Sequence, residues 1–344
     1  MVGSVLKCEC QIAEKFLSHW SAMINSCPRM RSLFKTLTNE SIKKPSAVRW
    51  FVWFEMAKQI HYTFPSVEAI INHEDDFCPE TRNKLRFILE EYYTDLRLEI
   101  ALIIDIGTDL VKLCYQQEGD GFLAPTSYDH WASVVNKLSN ISDEDQPVGD
   151  KLMFMPITDV LLMELIINVA EREEKLKELI GKIIPLHQKM VYDSDGRMYE
   201  TLCILRACRL LNYKFVSSTP LNALKNEIEQ LQRFPWCLQA IQKFRDETER
   251  YRDISTAERS KPTLEQTDLW SFWKSNALIL PNYFSVACTV ALIPPSSAVC
   301  ERLFARLVMG FDDDQDSALE DYKAASTLMR FNRSCTKSCN VEPY

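Results

Sequence analysis

Between residues 80 and 116 an apolar or aromatic side chain recurs at steps of three, four or seven: Leu85, Leu89, Tyr92, Leu96, Ile100, Ile103, Leu110 and Cys114. At 3.6 residues per turn such positions share one face of an α-helix, whereas a half-buried strand needs alternation at every second residue. If continuous, the segment predicts a helix about 50 Å long. The rest of the chain agrees with it. Only 8 of 344 residues are glycine, and the frequent Leu, Glu, Lys and Ile favour helix over the glycine-punctuated pattern of an all-β chain. The expected fold class is all-α.

A hydrophobic content of 46% in this length suffices for one large or two average domains. No apolar run approaches the ~20 residues that cross a bilayer, and Lys7, Glu9, Glu14 and Lys15 stand where a signal peptide would be apolar. A soluble, intracellular protein with no membrane partner is expected. The 12 cysteines are scattered, and most lie in apolar helical context, which reads as reduced, buried thiols. The closest pairs, Cys8 with Cys10 and Cys335 with Cys339, lack the second CxxC or the histidine pair of a zinc finger. The five histidines form no HxxxH or HExxH motif, so neither a metal site nor a cofactor is expected. A net charge of −8 disfavours a self-sufficient nucleic-acid binder. Lys43, Lys44 and Arg49 form one small basic group, readable either as a DNA contact or as a solvated loop.

Along the chain, residues 9–26 read as an amphipathic helix ended by Cys27-Pro28, and residues 29–37 as a short second one. Pro45-Ser46 opens a helix carrying Arg49, Trp50 and Trp53. Residues 117–126 read as a loop, 127–140 as a short helix and 141–150 as an acidic linker. Residues 158–184 form a helix that Pro185 ends or kinks, with Glu171–Lys175, Glu173–Lys177 and Glu178–Lys182 as solvated i,i+4 pairs. Further helices are expected near 197–213, 219–232 and 237–253, followed by a polar link at 254–263. Ile103 to Thr108, IIDIGT, imitates the strand-Asp-turn of actin-like phosphotransferases. No further glycine-rich hairpin or partner acid follows, so Asp105 reads as a helix-surface carboxylate, with phosphotransfer around it the remotest alternative.

The C-terminal quarter carries the most specific pattern. Trp270, Phe272 and Trp273 precede an apolar stretch from Leu278 through Pro281 to Ala291; then come Ile293, the turn Pro294 to Ser297, the run Glu301-Arg302-Leu303-Phe304, and Asn332 in MRFNR. This order and spacing resembles the C-terminal dimerisation signature of hAT-type DNA transposases. Arg49-Trp50 similarly resembles the Arg-Trp motif near the start of that family's helical insertion, where the tryptophan is implicated at the transposon-end hairpin. A weak DNA contact through Arg49 and Trp50 is what the resemblance implies; Trp50 as a packing residue is the competing reading.

The resemblance also implies a division: an N-terminal helical segment at 1–44, an insertion-like helical domain at 45–260, the dimerisation region at 261–334 and a tail at 335–344. Trp270, Trp273, Leu278, Pro281, Ile293, Pro294, Ser296, Ser297, Arg302, Leu303, Phe304 and Asn332 would serve dimerisation. Glu301 matches the third metal-binding acid of the family's RNase H-like site. Such sites use several carboxylates to hold two divalent ions ~4 Å apart, and no aspartate occurs among the 48 residues before Arg49. The expectation is an RNase H-like remnant without its catalytic sheet or BED zinc finger. It would have no independent enzymatic activity, and magnesium would matter only with a sheet supplied elsewhere. Glu301 on its own also reads as a solvated helix residue. A homodimer, or a pair with a related transposase-like chain, and nuclear location follow from the family. The alternative is the C-terminal part of a DNA-binding transposase or nuclease with Glu301 active.

Overall fold

The computed structural model describes residues 2–43, 50–73, 78–118, 122–191, 197–230 and 242–292. Among the described residues there are 17 α-helices and no strand, so the protein is all-α. The chain forms two compact units, Met1–Leu113 with Ala132–Tyr199, and Cys114–Trp131 with Glu200–Tyr344. The helices of residues 45–260 are therefore shared between both units.

The first unit contains α1 (Val2–Glu9), α2 (Gln11–Ser26), α3 (Pro28–Thr38), α4 (Trp50–Tyr62), α5 (Phe64–Ile71) and α6 (Pro79–Glu91). It also holds most of α7 (Tyr93–Glu118) and α8 (Ala124–Ser142), with α9 (Val148–Leu152), α10 (Pro156–Leu165) and α11 (Val169–Val191). α2 packs on α6, α1 on α11 and α3 on α5. The helix expected at 9–26 is α2 from Gln11 onward, its apolar stripe running from the half-buried Ile12 through the buried Phe16, Trp20 and Ile24, and Trp20 meets Phe34 edge-on at 6.1 Å.

The long helix expected at 80–116 is two helices. The backbone leaves helical geometry at Tyr92 (φ −130°, ψ 28°), whose side chain is exposed. The apolar spacing keeps its phase across this break, so periodicity cannot register the change of axis. Beyond it, residues 98–107 of α7 are buried on every side, and Cys114 is exposed. A helix surrounded by others has no solvent face to advertise.

Asp105 is accordingly not a surface carboxylate. It is 5% exposed, and its oxygens accept hydrogen bonds from Ile157 N (3.1 Å), Thr158 N (2.8 Å) and Thr158 Oγ1 (2.8 Å). It caps the start of α10 from another helix, where the residue in the cap position, Met155, makes no side-chain bond. Gly107 serves packing: a Cβ there would lie 2.5 Å from the Phe54 ring. Both residues that imitate a phosphate site thus have structural work, and the segment is helical where that site needs a strand.

Two further expectations change. The helix predicted at 158–184 is α10 and α11, separated at 166–168, and α11 continues through Pro185 to Val191. A proline inside a helix crowds the carbonyl four residues back, and here that residue is the exposed Gly181. Of the three expected i,i+4 pairs Glu178–Lys182 forms, at 3.5 Å; among the described residues Glu171–Lys175 and Glu173–Lys177 do not, and Lys175 and Lys182 reach other helices. Lys175 pairs with Asp95, and Lys182 with the buried Glu99 at 3.1 Å.

The second unit contains α12 (Arg197–Cys208), α13 (Tyr213–Ser218), α14 (Leu221–Gln230), α15 (Phe244–Arg259), α16 (Leu269–Asn276) and α17 (Pro281–Val290). Here α13, too short to show a period, packs along α15, and α15 extends through most of the supposed link at 254–263.

Candidate dimerisation surface

The C-terminal helices of the second unit are assembled around aromatic rings. Asp268 starts α16, its carboxylate accepting from Trp270 N and Ser271 N at 3.0 Å each. A hydrogen bond from the Ser271 hydroxyl, together with these backbone donors, holds its carboxyl below the usual aspartate range. Phe272 and Trp273 then point inward. Trp273 is fully buried and donates its Nε1 hydrogen to Leu211 O at 2.9 Å. Tyr251 OH donates to Leu210 O (2.9 Å) and Tyr213 OH to Thr267 O (2.8 Å). Phe244 stacks on Tyr283 with centroids 3.8 Å apart, and Tyr213 on Phe272 at 4.7 Å. Burial pushes the Tyr251 and Tyr283 hydroxyls up, so both stay neutral across ordinary pH.

Two carboxylates of α15 organise the helices that follow. Glu247 accepts from Asn282 N and Tyr283 N at 3.3 Å each and from the Asn282 amide side chain, capping α17, whose own cap residue Leu280 makes no side-chain bond. Glu258 accepts from Thr267 N (2.8 Å), Thr267 Oγ1 (3.0 Å) and Lys261 Nζ (2.6 Å). The bond to Lys261 and those to Thr267 lower its carboxyl. Sequence reading passed over both acids. The buried side of α15 runs Phe244, Glu247, Thr248, Tyr251, Ser255, Glu258 at steps of one, three or four. A signal existed in the spacing, but polar residues on a buried face hide it from a hydrophobicity pattern.

Of the predicted dimerisation residues, Trp273 belongs to the core. Trp270 is half-buried between Phe122 (5.7 Å) and Phe284 (6.3 Å). Pro281 begins α17 and is exposed, and Leu278, beside the partly exposed Ile279, is 97% exposed. Leu292, just past α17, is also largely exposed. Ile293, Pro294, Ser296, Ser297, Glu301, Arg302, Leu303, Phe304 and Asn332 lie outside the described residues, as does Arg49; Trp50 is the first residue of α4. Among the described residues no group of three or more His, Cys, Asp or Glu side chains could hold a metal ion.

The second unit is thus a helical unit closed over aromatic rings, with Leu278 and Leu292 left in solvent before and after its last described helix. Residues 247–330 match the family model of the hAT family C-terminal dimerisation region, so this part of the chain is related to hAT-family transposases. No curated protein and no solved structure matches the chain. The match begins upstream of residue 261, at Glu247, and so takes in the α15 carboxylates that set α16 and α17 in place.

Proposed function

We propose that the protein is a transposon-derived, catalytically incomplete chain whose activity is self-association through its hAT C-terminal region. The observation that carries this reading is the family match over 247–330, supported by a unit that leaves Leu278 and Leu292 in water. The partner is a second copy or a related transposase-like chain. In this reading the purified 344-residue chain cuts no DNA, needs no magnesium, touches DNA weakly if at all through Arg49 and Trp50, and shares the nuclear location of its family.

Light scattering and sedimentation of the purified chain at micromolar concentration test it. A dimer is expected, converted toward monomer by Leu278→Asp or Leu303→Asp with unchanged circular dichroism. A monomer unaffected by either substitution rejects the proposal. Magnesium-dependent cleavage of a DNA hairpin, lost in Glu301→Gln, would instead support the transposase reading.

A further inference from the structure

The helix α10 is apolar on two opposite faces, and only one of them is covered. Thr158, Leu161 and Leu162 face the core of the first unit. At 100° per residue, Pro156, Val160 and Met163 lie about 180° from them, and all three are exposed, Val160 at 63% and Met163 at 62%. The chain on either side adds Met153 and Ile167, exposed at 78% and 91%. Within α10, Pro156, Val160 and Met163 step by four and three, the spacing with which a helix presents a seam to another helix, and Met153 and Ile167 stand just outside its two ends.

The charges around the seam select the occupant. Asp159 and Glu164 lie on its two flanks, roughly 70° to either side. Beyond its end, Leu165 and Ile166 line a cleft of about 430 Å³ that also takes in Asp95, Glu171, Glu174 and Glu178, with Lys175 the cation among its lining residues. Lys175 is already held by Asp95 and Glu178. Glu171 and Glu174 have no ion pair among the described residues, and Arg172 is turned onto the Ile167 carbonyl at 2.9 Å. A second copy docking here through the same face would set acid against acid.

We propose that the outer face of α10 binds a basic amphipathic helix of another protein, its apolar side on Val160 and Met163, its lysines or arginines over Asp159 and Glu164, and its end directed toward the acidic cleft past Leu165. The two exposed methionines suit such a surface, because an unbranched thioether adapts to the side chain it meets. This surface belongs to the first unit and shares no residue with the 247–330 region.

The test uses the full chain and two labelled synthetic helices with the same Leu/Ile face, one flanked by Lys and Arg and its twin by Glu, with binding read by fluorescence anisotropy. The basic helix is expected to bind in the micromolar range and the acidic twin not to bind. Val160→Asp or Met163→Asp should weaken binding about tenfold or more. Glu171→Gln with Glu174→Gln should weaken it about threefold and flatten its salt dependence. These exposed substitutions are checked by circular dichroism, and the glutamine pair stands as the second line should an aspartate variant misfold. No binding of the basic helix up to about 100 µM, equal binding of the twin, or binding unchanged by Val160→Asp overturns the proposal. Conversion of a dimer to monomer by Val160→Asp also overturns it, assigning the face to a second copy. Leu278→Asp separates this test from that of self-association, since it leaves the peptide site intact.

Discussion

The two units start helices in the same way and fill their interiors differently. In each, a helix whose own cap residue makes no side-chain bond receives a carboxylate from a distant helix: Glu99 on Ala13 N at 2.8 Å and Asp105 on α10 in the first unit, Glu247 on α17 in the second. In the first unit burial raises the carboxyls of Glu99 and Asp105 above their ordinary range. The second is built from stacked rings whose hydroxyl and indole hydrogens reach carbonyls, and hydrogen bonding lowers Glu258 and Asp268. All four accept hydrogen bonds: at Glu99 and Asp105 the cost of desolvating the charge outweighs the donors, and at Glu258 and Asp268 the donors outweigh it.

The contrast breaks most sharply at Trp273. Trp273→Ala removes a fully buried ring and strands the Leu211 carbonyl, and should cost about 3–5 kcal/mol. Denaturant unfolding followed by hydrogen exchange would show the loss in the second unit; an equal loss in both would mean they do not unfold separately. Next comes Asp105→Ala, which leaves buried N–H groups of Ile157 and Thr158 without an acceptor and should cost about 2 kcal/mol. Asp105→Asn, which keeps one acceptor oxygen, should cost less, and an equal cost would refute the capping role.

Acidification supplies a third, smaller effect. Glu258 and Asp268 have folded values below their unfolded ones, so their stabilisation is present above the ordinary carboxylate range and disappears as pH falls through the folded values. Glu99 and Asp105 have the opposite shift: their contribution is fullest below the unfolded range and is lost as pH rises through the folded values. Lowering pH should therefore expose amides at the start of α16 to exchange before those at the starts of α2 and α10. Loss in the reverse order counts against these assignments. Least of all in stability is Leu278→Asp, expected to stay within about 0.5 kcal/mol of the parent because the side chain is in water, while its effect on self-association is large.

Much of this organisation could be read from residue spacing. Phe16, Trp20 and Ile24 mark α2, and Trp270 to Ala291 mark the region that the family match covers. The break at Tyr92, the passage of α11 through Pro185 and the burial of Asp105 could not be read, since each depends on what lies across the core. The dimerisation residues divide likewise. Trp273 and Leu278 stand five positions apart in one motif, yet one is sealed in the core and the other is 97% exposed.

Local sequence by itself determined that this chain is helical, because side-chain periodicity, scarce glycine and backbone propensity act within a few residues of each other. Tertiary structure alone decided which carboxylate caps which helix, where a long apolar pattern bends, and which apolar faces remain in water. Those outcomes turn on groups as far apart in the chain as Ala13 and Glu99, and a free carboxylate or an uncovered face takes its meaning from whatever the fold brings against it.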